Sequence, residues 1–146
     1  MPCIELLSWV EAQREASPIR LAVFVEEQKV PLVMEIDEHD PACMHALARL
    51  DDGTVVGTGR LLPDGHIGRM AVLKAWRGQG VGGAILEALV AAARGRGDRE
   101  VMLSAQTHAL KFYGRHGFAE EGEVYDDAGI PHQAMRRKLM IGSLTP

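Results

Sequence analysis

Residues 70–83 read Met-Ala-Val-Leu-Lys-Ala-Trp-Arg-Gly-Gln-Gly-Val-Gly-Gly, so Gly78, Gly80, Gly82 and Gly83 fall within six positions. The stretch joins a strand pattern, His66 to Val72, to a helix pattern over Gly80 to Ala93. In that helix Val81, Ile85, Leu89 and Ala93 recur every four residues beside Leu86 and Val90, and Gly95 and Gly97 end it. Glycine lets backbone amides approach a ligand closely, and the free amides of a helix start carry partial positive charge. The natural guest of such a turn is an anion, most often phosphate. Arg77 beside the turn adds a fixed positive charge.

Three nucleotide-type readings compete for this segment. A Walker loop requires Gly-Lys-Ser/Thr, and no Lys is followed by Ser or Thr anywhere in the chain. The dinucleotide fingerprint Gly-x-Gly-x-x-Gly is matched in form by Gly78, Gly80 and Gly83. That site also needs an acidic residue about 20 positions on, at the end of the next strand, to hold the ribose hydroxyls. The chain has Ser104-Ala105-Gln106 there, and only 63 residues follow Gly83, without the required run of alternating strands and helices. The third reading is a superfamily signature, taken up below.

The remaining pattern frames this junction. Cys3 to Trp9 is a short apolar strand candidate. Ser17-Pro18 reads as a helix start, with Ser17 as cap and Pro18 where its missing N–H costs nothing. That helix is expected to reach about Gln28, burying Ile19, Val23, Phe24 and Val25 and leaving Arg20, Glu26 and Glu27 largely outside. Lys29 to Pro41 is a polar, acidic loop. Met44 to Leu50 and Thr54 to Leu62 flank Asp52-Gly53, a strong hairpin signal, and Pro63-Asp64-Gly65 turns into the strand of 66–72. Glu100 to Ala105 reads as a strand, Thr107 to His116 as a short helix closed by Gly117, and Phe118 to Tyr125 with His132 to Ile141 as a last hairpin. The order predicts an α/β mixed sheet of about seven strands flanked by helices, with one parallel crossover through the long helix.

Composition narrows the class. A chain of 146 residues suits one domain, 1–146, with a core large enough to stand without disulfides or metals. No apolar run approaches the roughly 20 residues of a membrane helix, and Met1 to Glu11 has no basic segment followed by an apolar core. A cytoplasmic address is expected, and two cysteines, Cys3 and Cys43, agree with it. The formal net charge of −4 disfavours nucleic acid, since Arg94, Arg96 and Arg99 form only a local cluster at a helix end. Asp37, His39, Asp40, Cys43 and His45 lie close in sequence but match no familiar ligand spacing, so no metal is expected.

Arg77-x-x-Gly80-x-Gly82 resembles the Gln/Arg-x-x-Gly-x-Gly/Ala signature of the GNAT superfamily of N-acetyltransferases, whose loop binds the pyrophosphate of acetyl-CoA. Ala109-x-x-Phe112-Tyr113-x-x-x-Gly117-Phe118 is similar to the superfamily's second motif. Further segments resemble its ElaA-like branch: Val23-Phe24-Val25-Glu26-Glu27-Gln28, Glu35-x-Asp37, Gly68-Arg69-Met70-Ala71-Val72, Ala105-Gln106 and Gly129-Ile130-Pro131-His132. They occur in order from about residue 19 to residue 138. The resemblance implies a GNAT-like acyl-CoA N-acyltransferase fold in which the strands at 66–72 and 100–105 run parallel and splay apart. Acetyl-CoA would enter that opening, its pantetheine arm along Met70, Ala71 and Val72 and its pyrophosphate on the amides of Arg77, Gly78, Gln79, Gly80, Val81, Gly82 and Gly83.

The implied reaction is direct transfer of an acetyl group to a primary amine of a small molecule, peptide or protein. Such transfer needs a polarised carbonyl, a proton for the departing thiolate and a neutral amine. By resemblance the backbone amide of Val72 serves the carbonyl and Tyr113 supplies the proton. His132 is the candidate base, with His45, Glu35 and Asp37 beside it on the expected acceptor side. The acidic loop from Glu35 to Asp40 is expected to draw a cationic acceptor. The other reading is a non-catalytic acyl-CoA-binding regulatory module. Dimers are common among such proteins, which leaves a homodimer open here.

Overall fold

A computed structural model describes residues 2–30, 32 and 37–139. Seven strands form one mixed sheet in the order β1-β2-β3-β4-β5-β7-β6. In chain order the elements are β1 (Cys3–Leu7), α1 (Trp9–Arg20), a π-helical segment (Leu21–Glu27), β2 (Met44–Arg49), β3 (Val55–Leu61), β4 (His66–Val72), α2 (Val81–Gly95), β5 (Glu100–Gln106), α3 (Leu110–Arg115), β6 (Ala119–Asp127) and β7 (Ile130–Lys138). The expected sequence of strands and helices is met. Every neighbouring pair is antiparallel except β4 and β5, which α2 connects.

Helix α1 begins earlier than the Ser17-Pro18 pair predicts. Ser8 is its cap: the Ser8 hydroxyl accepts from Glu11 N at 3.4 Å and the Glu11 carboxylate accepts from Ser8 N at 3.2 Å. This reciprocal box satisfies two orphan donors, and Pro18 then falls inside the helix, where it removes a backbone donor. The backbone widens to a π-helix from Leu21 onward, a form concentrated at functional sites. Arg20, expected outside, is buried at 2% exposure, where its Nη1 donates to Asp40 Oδ1 at 2.9 Å and its guanidinium lies over the Trp9 ring.

Two apolar clusters cover the sheet. Ala46 and Ala48 of β2 join the cluster built on α2, and Leu47 between them joins the cluster built on α1, the alternation expected of a strand covered on both faces. On α2, Val81, Ile85, Leu86, Leu89, Val90 and Ala93 are all buried. Each large apolar side chain fully buried there contributes about 1.5–3 kcal/mol. Close approach of α2 depends on glycines in β3: a Cβ at Gly59 would lie 2.7 Å from Met70 Sδ and 2.9 Å from Ile85 Cγ2. No helix among the described residues is long and apolar enough to cross a membrane.

Candidate active site

The β4–β5 pairing is short. Only His66↔Met102 and Ile67↔Leu103 are in register, so from Gly68 onward the edge of β4 that faces β5 is unpaired. On its other edge β4 carries a bulge, where the register with β3 shifts between Thr58 and Arg60 and Arg69 takes a left-handed φ of 49°. Beyond the bulge, Leu73 N donates to Val56 O at 2.9 Å. Hydrogen-bonded and non-bonded positions alternate along an antiparallel pair, so the Val72 N–H and C=O point away from β3, into the opening. A cleft of about 950 Å³ fills this opening.

The glycine turn closes one end of the cleft. Gly78 and Gly80 have φ of 76° and 85°, left-handed values that glycine adopts without strain. Gly80 caps α2 without a side-chain hydrogen bond, so the N–H groups of Val81, Gly82 and Gly83 are free donors at the positive end of the helix. At Gly83 a Cβ would approach His116 Nε2 to 3.2 Å, whereas at Gly82 the nearest contact, Phe112 Cζ at 3.5 Å, is ordinary. This geometry fits a diphosphate at the turn and an extended amide-bearing arm along the β4 edge.

Met70, Ala71, Val72, Arg77, Gly78, Gly82, Tyr113 and His132 all line the cleft. Gln79 turns back, its Nε2 donating to Ala75 O at 3.3 Å, and the Val81 side chain is in the core. Arg77 is less free than a bare positive charge: its Nη1 and Nη2 donate to Glu27 at 2.6 and 2.7 Å, and its Nε donates to Val72 O at 2.9 Å. That bond to Arg77 holds the Glu27 carboxyl below its ordinary range, against a smaller upward push from burial. Tyr113 comes from α3, and burial pushes its hydroxyl up to about 12, so it is protonated at neutral pH.

His132 sits across the cleft on β7, opposite Gln106 of β5. Its Nδ1 lies 2.7 Å from the Ile130 carbonyl, which can only accept, so Nδ1 carries a proton and Nε2 is the acceptor nitrogen of the neutral ring. The Tyr125 ring stacks on it, and the Tyr125 hydroxyl is hydrogen-bonded to Ser104. Beside it Gln106 Nε2 donates to Gln28 Oε1 at 2.9 Å, and His108 Nε2 donates to Gln106 Oε1 at 2.6 Å.

The other base candidates are elsewhere. His45 is 1% exposed, its Nε2 donating to Asp40 O at 2.9 Å, and burial lowers its pKa, so it is neutral and sealed from the cleft. Asp37 accepts from Arg60 at 2.6 Å and Arg69 at 3.2 Å. Burial raises its pKa, but the His39 N–H and Arg60 outweigh this and hold the carboxyl low. Asp40 accepts from Arg20 and Arg60. Asp37 and Asp40 therefore neutralise internal arginines, while Glu38 between them is exposed. Glu35 lies outside the described residues. Among the described residues no group of three or more His, Cys, Asp and Glu is placed to share a metal.

The sequence pattern assigns no role to Glu27, Gln28, Gln106 or His108. Glu27, Gln28 and Gln106 fall within the family-like segments, but the partners that define them are 50 and 78 residues away, and His108 lies in none of those segments.

These features match known proteins. The profile of the Acetyltransferase (GNAT) domain matches residues 9–139. The chain is 41% identical over 131 residues to the uncharacterized N-acetyltransferase YjcF of Bacillus subtilis, covering 87% of this chain and 93% of that one. The crystal structure of an acyl-CoA N-acyltransferase from Pseudomonas aeruginosa superposes with a TM-score of 0.83 at 35% identity, covering 94% of this chain and 99% of the other. Escherichia coli ElaA does so with a TM-score of 0.83 at 32% identity, covering 92% and 99%. With the splayed β4–β5 edge, the left-handed glycine turn and a family match along most of its length, the chain belongs to the GNAT acetyltransferase family.

Proposed function

We propose that the protein is an acetyl-CoA-dependent N-acetyltransferase, working in the cytoplasm, that acetylates a primary amine of a small molecule or peptide directly. The observation that carries this reading is the convergence of the Val72 N–H, Tyr113 and His132 on one cleft whose end is the glycine turn. Acetyl-CoA supplies an acyl group activated as a thioester. The amides of 78–83 hold its diphosphate, and the open edge of Met70 to Val72 pairs with its pantetheine arm. The Val72 N–H donates to the acyl oxygen as negative charge develops there. The Tyr113 hydroxyl carries the proton that the departing sulfur needs, and His132 Nε2 takes the proton that the acceptor amine must lose. Val23, Phe24 and Ile130 add apolar lining to the cleft, and Asp127 adds a carboxylate.

Tyr113 in the cleft favours turnover over a purely regulatory acyl-CoA-binding module. A screen of small amines and peptides that follows release of the CoA thiol tests this. Acceptor-dependent release supports the enzyme, and acetyl-CoA binding without release for any acceptor class supports the module.

A further inference from the structure

The Arg77 guanidinium is shared between the two halves of the cleft. Its two terminal nitrogens form a bidentate pair with Glu27, fifty residues away at the end of the π-helical segment, and its Nε holds Val72 O on the edge of β4. Glu27, Arg77 and Val72 all line the cleft. Arg77 also directly precedes Gly78, so one side chain lies within reach of both the glycine turn and Glu27. A guanidinium presents one planar fork of donors, and carboxylate and phosphate compete for it with the same geometry.

We propose that Glu27 is a positioning residue that acts through Arg77, competing with the CoA diphosphate for this guanidinium and so setting cofactor affinity below what the turn alone would give. Binding of the diphosphate draws the fork from Glu27, and pantetheine pairing takes over Val72 O, which Arg77 Nε holds. The carboxylate is thereby released next to Gln28, on the acceptor side. Glu27 and Arg77 are each about two-fifths exposed, which places the pair among weak surface bridges and bounds the effect. The inference rests on the acetyl-CoA reading above.

The test is calorimetric titration of CoA into the full chain, its Glu27→Gln, Arg77→Gln and double variants, and Glu27→Ala as a second removal of the charge. Each variant's fold is checked by thermal melting. Glu27→Gln is expected to bind CoA about two- to fivefold more tightly, the range set by the worth of an exposed ion pair. Arg77→Gln binds more weakly, and the gain from Glu27→Gln vanishes in the Arg77→Gln background. A purely structural role for Glu27 predicts the opposite sign, weaker binding on its removal. Unchanged or weakened CoA binding in both Glu27 variants, or a gain that survives without Arg77, overturns the inference. Failure of the unsubstituted protein to bind CoA instead overturns the acetyl-CoA reading itself.

Discussion

Replacing Asp40 by Asn separates two roles for the acidic loop. If the loop draws a cationic acceptor, the substitution raises the acceptor KM and leaves the fold alone. The structure requires the reverse. The Asp40 side chain is 5% exposed, and its Oδ1 accepts from Arg20 Nη1 at 2.9 Å and Arg60 Nη1 at 2.8 Å. Asn keeps the shape and an Oδ1 that can still accept from both arginines, but it carries no charge to offset theirs. Removing one partner of a buried ion pair leaves uncompensated charge in a poorly solvated place and costs about 3–5 kcal/mol. For a chain of this size each kcal/mol moves the melting temperature by roughly 3 °C, so a drop of about 10–15 °C is expected. By contrast Glu27→Gln, which breaks a pair with 39% of each side chain exposed, changes stability by at most about 1 kcal/mol. Differential scanning calorimetry of both variants provides the comparison. A melting point for Asp40→Asn within about 2 °C of the parent, less than about 1 kcal/mol, would refute the buried-network account.

Other expectations follow from the site and the core. Tyr113→Phe should lower kcat by about 100-fold or more, the usual worth of a general acid, with acetyl-CoA affinity unchanged; undiminished turnover removes Tyr113 from the chemistry. Because burial lowers the pKa of His45, the unfolded chain binds its proton first and stability declines as pH falls below about 6.5. The depressed carboxyl of Asp37 adds a second loss below about pH 4. Melting temperatures that stay level from pH 7 to pH 5 would contradict the His45 assignment. Gly59→Ala drives a methyl to within 3 Å of Met70 and Ile85 and should cost about 1–3 kcal/mol in chemical denaturation, whereas a neutral result means that α2 is less tightly seated.

What the chain reveals before folding depends on how local each feature is. The hairpin at Asp52-Gly53 and the four-residue period of α2 are each encoded within a few residues, and they occur where the pattern puts them; the left-handed φ of Gly78 and Gly80 is a finding of the structure. Ser17-Pro18 does not mark the start of α1, because Ser8-x-x-Glu11 and Ser17-Pro18 both resemble helix starts and only the first satisfies two donors at once. Burial of Arg20 depends on Asp40, twenty positions on, and no pattern inside a helix reports such a partner. The same holds for the Glu27–Arg77 pair and for the β4 bulge at Arg69, which register with β3 defines. Gly57 and Gly59 are where α2 comes closest, a fit that depends on Ile85 far along the chain. Of the candidate bases, His132 joins the cleft, while His45 and Asp37 are taken up by internal bonds that need the tertiary fold to exist.

On the proposed function, the glycine turn and the open β4 edge hold acetyl-CoA. This is tested most directly by calorimetric titration of acetyl-CoA into the parent chain and into Gly82→Asp. A Cβ at Gly82 meets only ordinary contacts, and a carboxylate in the first turn of α2 suits the helix dipole, so the variant should fold. Its charge occupies the place of the diphosphate. Saturable one-to-one binding by the parent and none by the variant is expected, both having similar melting temperatures. Equal affinity in the two, or no binding by the parent, would contradict the proposed function.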